Sequence, residues 1–186
     1  KGDDYSVTLV LSPAKDKGTV FLKRKNEMWN YIPSIDRLVK MPPSMLSQSW
    51  MGTDIKNDDL LENSSMKEDY NKTIVGNETI EGLDCYKIEM KPKKEVNSIW
   101  GKVDIWISKV NFMQMKIQYY DEDMELVNTF FGKKVTTINK LKMPAVMEIV
   151  PANKKGNKTK MTTTNRELNV KIDDNIFTTQ YMKRLK

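Results

Sequence analysis

The residues best suited to chemistry in this sequence are two groups of carboxylates. Asp121-Glu122-Asp123 with Glu125 offers the oxygen ligands that Ca²⁺ prefers, but the EF-hand spacing and its glycine are absent. We interpret this group as a hairpin turn. Asp54, Asp58 and Asp59 could pair as a general acid and base, but they stand where a helix is expected to begin, and carboxylates there accept hydrogen bonds from free backbone N–H groups. The sequence therefore predicts no metal site and no catalytic residue.

Histidine and cysteine usage excludes several further kinds of chemistry. Histidine does not occur among the 186 residues, and cysteine occurs once, so Ser–His and Cys–His dyads and histidine metal ligands are excluded. The glycine-rich phosphate-binding motifs are also missing. Cys85 alternates with Tyr86 and Ile88 as in a strand, which predicts a small residue of the core or of a cavity wall. We therefore expect a protein that is not an enzyme and that needs no cofactor.

The charge balance points to an ordinary basic surface. The 31 basic and 25 acidic residues give a net charge of +6, and the basic residues are scattered along the chain. A solvated surface explains this distribution, and attraction to anionic lipid headgroups is the alternative. No nucleic-acid-binding motif accompanies the charge, so we expect no nucleic acid partner.

The elements that must position any site are strands. Apolar residues recur at every second position, for example at Val103, Ile105 and Ile107, which predicts a strand with one apolar face. Turn residues at 77–82, 121–123 and 151–157 predict an antiparallel meander forming one domain over residues 1–186. Alternation predicts strands, within a few residues, at 5–11, 18–24, 27–32, 35–40, 68–76, 83–91, 102–108, 113–120, 124–138, 145–150 and 158–170.

Two segments are predicted to contain short helices. One is Ser44–Glu62, where Asn57-Asp58-Asp59 could open a turn of helix. The other is Asp173–Thr178, where Asp173 could cap the first turn.

The connection that follows the strand at 35–40 is unusually apolar. It holds Met45, Leu46, Trp50 and Met51, although a connection over the surface is normally polar because exposed apolar groups cost free energy. Such a segment is expected to cover something. We therefore predict that residues 42–62 act as a lid over a cavity.

Methionine is abundant, with 13 residues, and its flexible side chain suits surfaces that accept variable apolar shapes. Core filling is the simpler interpretation, and a lining for hydrocarbon chains is the alternative. Alternation shows which residues share a face but not which face points inward. The candidate lining is Trp29, Tyr31, Met45, Leu46, Trp50, Met51, Ile105, Ile107, Met115, Ile117, Phe130 and Met147.

Two motifs are more specific in combination than alone: Trp-x-Tyr-x-Pro at 29–33 and Gln-Ser-x-x-Gly-x-Asp at 48–54. With other pieces they resemble the bacterial outer-membrane lipoprotein-sorting protein family, the LolA-like group, in an uncharacterised branch. The resemblance covers essentially the whole chain. The other pieces lie at 11–18, 37–40, 58–60, 82–88, 104–107 and 173–181.

The resemblance implies a fold and a location. The fold would be mainly β, a curved antiparallel sheet forming an unclosed half-barrel whose concave face is covered by short helices. The family's N-terminal helix and first strands would be missing from this chain. The location would be the periplasm of a Gram-negative bacterium, and a membrane anchor in a full-length form stays open.

Two functions follow as hypotheses. The first is a carrier that binds the acyl chains of lipids or lipoproteins and meets transport proteins of the inner or outer membrane. The second is a protein-interaction module, a periplasmic accessory to a membrane transporter, in which the apolar lid is a docking patch. Unpaired strand edges also predict that a dimer can form.

Overall fold

A computed structural model describes residues 1–2, 4–46, 48–57, 66–96, 98–154 and 156–185. These residues are mainly β and form two compact units, one of residues 1–66 with 169–186 and the other of residues 67–168. Each unit contains one antiparallel sheet of consecutive strands, and neither sheet is closed into a barrel in the described ranges. The predicted mainly-β, antiparallel and unclosed architecture is confirmed. The single domain stays a prediction.

The first unit is built on a four-stranded sheet in the order β1-β2-β3-β4. Residues 10–19 connect β1 to β2, and short connections at 25–26 and 33–36 join the other neighbouring strands of this meander. The strands are β1 (Tyr5–Leu9), β2 (Val20–Arg24), β3 (Glu27–Ile32) and β4 (Arg37–Lys40).

One face of this sheet is covered by the end of the chain. Residues there form a 3₁₀ helix, Asp174–Phe177, and a short helix that we number α3, Thr179–Met182. The Asp173 side chain caps the first turn by accepting a hydrogen bond from Asn175 N at 2.9 Å, as the sequence predicted. We call this the covered face; its core consists of Val20, Leu22, Tyr31, Phe177 and Met182, with Tyr5, Val7, Leu9, Trp29, Ile176 and Leu185 packed around it.

The described residues between β4 and the second unit include two short helical pieces with defined bounds. They are α1 (Pro43–Leu46) and a 3₁₀ helix, Trp50–Gly52. Most of the predicted helix opening at 57–59 lies outside the described residues, as do 60–62. The next element in the described residues is α2 (Met66–Asp69).

The second unit is built on a seven-stranded sheet in sequential order from β5 to β11. The β5–β6 hairpin turns at Glu81 and Gly82, whose φ angles of 50° and 75° match the twist of the flanking strands. The strands are β5 (Tyr70–Ile80), β6 (Leu83–Pro92), β7 (Lys102–Ser108), β8 (Gln114–Tyr120), β9 (Leu126–Ile138), β10 (Leu141–Pro151) and β11 (Thr159–Thr162).

The alternation of apolar residues predicted where the strands lie, and the structure differs from that prediction at the ends of the strands. The strand predicted at 158–170 is only Thr159–Thr162, because residues 163–170 are largely exposed and lack an apolar face to bury. The strand predicted at 68–76 continues to Ile80, so the turn expected over 77–82 shrinks to two residues. Within the described ranges, no helix has both the length and the apolar character to cross a bilayer.

Candidate ligand-binding site

The face of the four-stranded sheet opposite the covered face forms the floor of an open pocket of about 710 Å³. We call it the pocket face. Its side chains are those at the alternate positions of the strands, including Phe21 of β2, Asn30 and Ile32 of β3 and Val39 of β4. Successive side chains of a strand point to opposite faces, so β2 and β3 each serve both the core of the covered face and the pocket.

The register of the strands arranges the floor in rows. Asn30 is paired with Phe21 on one side and with Val39 on the other, which makes a central row. Ile32 is paired with Arg37 in the next row. In the opposite direction, Met41 N donates to Met28 O at 2.8 Å.

The two ends of the pocket differ in polarity. At the Arg37 end lie Lys15, Asp16 and Thr19, tied together by a hydrogen bond from Thr19 N to Asp16 O of 3.0 Å. Beyond Val39, by contrast, the lining residues that the structure describes are uncharged. They are the apolar Met41, Pro42, Met45 and Met51 together with Gln48, Ser49, Gly52 and Asn57.

Residues 48–57 form a small closed loop beside the pocket. Asn57 is buried, and its Nδ2 donates to Met45 O at 2.9 Å and to Gln48 O at 3.1 Å. Ser49 and Lys56 form an antiparallel bridge. One polar side chain thus holds α1 to the loop, and the loop has a defined structure.

The loop is fastened to the floor through an aromatic contact. The rings of Trp50 and Phe21 meet edge to face with their centroids 5.8 Å apart. Trp50 Nε1 and, on the floor, Asn30 Oδ1 are both buried without a hydrogen-bond partner in the described residues. A buried polar group without a partner costs about 1–3 kcal/mol. The hydrogen bonding of the closed arrangement is therefore incomplete at these two atoms.

Trp29 and Tyr31 lie on the covered face and pack against the C-terminal segment. Tyr31 Oη donates to Asp36 Oδ1 at 3.1 Å. Desolvation raises the pKa of Tyr31, and the hydrogen bond to the Asp36 carboxylate raises it further. The side chains that share a strand with these two and face the pocket are Asn30 and Ile32.

The seven-stranded sheet has a continuous apolar row across one face. Ile105 of β7 is paired with Ile88 of β6 and with Ile117 of β8, and Ile117 is paired with Phe130 of β9, which is paired with Ile149 of β10. Ile107 and Met147 share this face by alternation. Five of the candidates in this unit therefore lie together, as alternation predicted.

Met115 is the exception. A bulge between the pairs of Trp106 and Ile107 shifts the register of β8, and Met115 is buried in a cluster with Cys85, Trp106 and Met113. Cys85 is a core residue, as predicted, and burial raises the pKa of its thiol.

The face that carries Trp106 combines the buried apolar cluster with charged groups. The ammonium groups of Lys87 and Lys116 lie 5.0 and 4.1 Å from the centroid of the Trp106 ring, and the indole N–H donates to Glu78 Oε2 at 2.7 Å. The buried Asp104 pairs with Lys87 at 3.5 Å. The continuous apolar row thus lies on one face of the seven-stranded sheet, and these charged groups lie on the other face, beside the apolar cluster.

The structure therefore divides the twelve candidates into several groups. Met45 and Met51 line the pocket, Trp50 lies beside it, and Leu46 is half-buried next to Met45. Ligand contact by any of the twelve stays a prediction. The pocket also has lining residues that were not candidates. The signal for those in β3 and β4 was the second parity of these strands, which mixes polar and apolar types: Asn30, Ile32, Arg37 and Val39. The others are Phe21 of β2, Met41 just after β4 and Asn57 of the loop.

A family model described as an uncharacterised protein matches residues 2–184. The chain belongs to this family. No curated protein matches the chain.

Solved structures share the fold. A DUF1329 family protein from Desulfovibrio piger has a TM-score of 0.81 at 23% identity, with 96% of this chain and 76% of that chain covered. A candidate outer membrane lipoprotein-sorting protein domain from Vibrio parahaemolyticus has a TM-score of 0.81 at 23% identity, with 97% of this chain and 77% of that chain covered. A LolA superfamily protein from Nitrosomonas europaea has a TM-score of 0.68 at 24% identity, with 97% of this chain and 79% of that chain covered. These structures confirm that the fold of this chain resembles that of the LolA-like group.

Proposed function

We propose that this protein binds the acyl chains of lipids or lipoproteins and carries them in the periplasm of a Gram-negative bacterium, without catalysing a reaction. The observation that carries the proposal is the pocket of about 710 Å³ on the pocket face, with Phe21, Val39, Met41, Met45 and Met51 among its lining. Burial of hydrocarbon contributes about 0.8 kcal/mol per methylene. A dozen methylenes therefore suffice for capture before the costs of binding are subtracted.

The fold supports the same proposal. One of the solved structures with this fold is a candidate lipoprotein-sorting domain and another is a LolA superfamily protein. The apolar row from Ile88 to Ile149 provides a second hydrocarbon-compatible surface, in the other unit. Carrying also requires a cover that can open, and the loop of residues 48–57 contacts the floor through the ring pair of Trp50 and Phe21.

The test is direct detection of lipid. The protein is purified without detergent, its mass is measured under native conditions, and solvent extracts are analysed for acyl chains. Uptake of a fluorescent acyl probe is then measured for Trp50→Ala and for Trp50→Phe, which keeps a ring against Phe21. We expect bound lipid in the extracts and weaker uptake in Trp50→Ala than in Trp50→Phe.

Repeated extracts without lipid, together with unchanged probe uptake by Trp50→Ala, would contradict the proposal. The other function that the sequence allows is a protein-interaction module that assists a membrane transporter. One observation favours it: Met45 and Met51 expose 40% and 38% of their surface, as docking residues do. Loss of partner binding in Trp50→Ala with no lipid in the extracts would favour this second function.

A further inference from the structure

The pocket is polarised along its strands, and this polarity bears on the kind of ligand. Arg37 and Met41 are the positions at the two ends of the floor on the β4 side, and four residues of extended chain span about 13 Å. The charged lining lies at the first end and the methionine-rich lining at the second. A pure hydrocarbon would leave the charged end without a partner, whereas an amphiphile matches both ends.

The cation at the polar end is available. Lys15 lies 3.9 Å from Asp16, so these two charges offset one another. The neighbouring Asp36 is engaged by Tyr31 and Lys183. Arg37 has no ion-pair partner in the ranges that the structure describes. Because a guanidinium forms two parallel hydrogen bonds with a carboxylate or phosphate, this end fits an anionic head.

The middle of the floor provides a second polar contact. Asn30 lies in the central row between Phe21 and Val39, and its Oδ1 is buried with no hydrogen-bond partner in the described residues. This oxygen accepts, so the group that completes it must donate. An amide N–H or a hydroxyl between the head and the acyl chain of a ligand would lie beside Asn30 Oδ1.

We propose that the pocket binds an anionic amphiphile with its head at Arg37, a hydrogen-bond donor of its linker at Asn30, and its acyl chain between Met41, Met45 and Met51. This inference rests on the proposed function, since it names the chemistry of the lipid in the same pocket. It assigns an orientation, with the head at the Arg37 end, and it makes Arg37 and Asn30 the residues that determine specificity.

The experiment uses matched amphiphiles below their critical micelle concentrations, each titrated against a bound fluorescent acyl probe. N-dodecanoylglycine has a carboxylate and an amide N–H, N-dodecanoylsarcosine has the carboxylate but no N–H, and dodecanol has no charge. Dodecanoyl lysophosphatidic acid supplies a phosphate and a hydroxyl. Comparing its affinity with that of the acylglycine shows whether the pocket prefers a phosphate head or a carboxylate head. The variants are Arg37→Gln, Asn30→Ala and, as a matched control on the same sheet, Arg24→Gln.

We expect Arg37→Gln to lower the affinity for all three anions by about tenfold and to leave that for dodecanol unchanged. Arg24→Gln should leave both the affinities for the anions and the affinity for dodecanol unchanged. The native protein should prefer the acylglycine to the acylsarcosine by about fivefold, and Asn30→Ala should abolish that preference. Equal effects of Arg37→Gln and Arg24→Gln would overturn the head assignment, and a preference that survives Asn30→Ala would overturn the linker contact. In both cases the probe still binds and the proposed function stands, whereas failure of the native protein to bind any acyl probe contradicts both.

Discussion

The two faces of the four-stranded sheet are both rich in apolar residues, yet in the described residues the chain itself covers them to different extents. Leu22 and Tyr31 on the covered face are buried under Phe177 and Met182. On the pocket face, Phe21 meets one ring, that of Trp50, and borders a volume of about 710 Å³. Neighbouring residues of one strand therefore serve different purposes: the covered face stabilises the unit, and the pocket face is available for a ligand.

The largest expected effect tests the covered face. Met182 is fully buried in the core of the first unit, so Met182→Ala leaves a cavity and should lower the free energy of unfolding by about 2–5 kcal/mol. Urea denaturation followed by circular dichroism measures this decrease in the free energy of unfolding. A loss under about 1 kcal/mol would mean that the C-terminal segment does not complete this core.

The next effect tests how firmly the pocket is closed. Asn57→Ala removes the side-chain bonds to the carbonyls of Met45 and Gln48. Each carbonyl keeps one backbone donor, so we expect a loss of stability of about 0.5–1.5 kcal/mol for each bond removed. Hydrogen exchange at the Trp50 amide, which donates to Ile55 O at 2.7 Å, should become faster by a matching factor. Unchanged exchange at Trp50 would show that Asn57 does not hold the loop.

A smaller effect on stability is expected from the pocket lining. Met45→Ala should change the free energy of unfolding by less than about 1 kcal/mol, because Met45 is 40% exposed. It should weaken acyl-probe binding by about threefold to tenfold through lost hydrocarbon contact. A large loss of stability with normal binding would reverse the roles that we assign to the two faces.

The smallest effect is a pH dependence of the covered face. The pKa of Tyr31 is raised by burial and by Asp36, so the folded state favours the neutral phenol. This contribution to stability is fully present below the pKa of a tyrosine in the unfolded chain, about 10, and is lost as the pH rises through the folded value. Tyr31→Phe should reduce the alkaline fall in stability, measured by denaturation between neutral pH and pH values above 10. An unchanged alkaline profile would contradict the role of Tyr31.

Sequence alternation predicts the strands well because it is a local property of each strand. It also groups Ile105, Ile107 and Ile117 correctly on one face. It could not place Met115, since the bulge in β8 changes the parity of the residues beyond it.

Alternation also could not decide between the two faces of β3. Trp29 and Tyr31 are as suitable for a pocket wall as for a core, and the choice depends on where residues 169–185 pack, which is a long-range contact. Asn30 was not a candidate because a polar residue on the floor of an apolar pocket is meaningful only once its neighbours are known.

The central claim is that the pocket face binds acyl chains while the covered face does not, and adjacent residues of β4 test it most directly. Val39 lines the pocket, whereas Leu38 points to the other face and is 36% exposed. A fluorescent acyl probe is titrated into Val39→Glu and Leu38→Glu, with folding checked by circular dichroism. We predict that Val39→Glu lowers the affinity at least tenfold, because a carboxylate on the floor must be desolvated beside the chain, and that Leu38→Glu binds normally. Equal affinities in two folded variants would contradict the account.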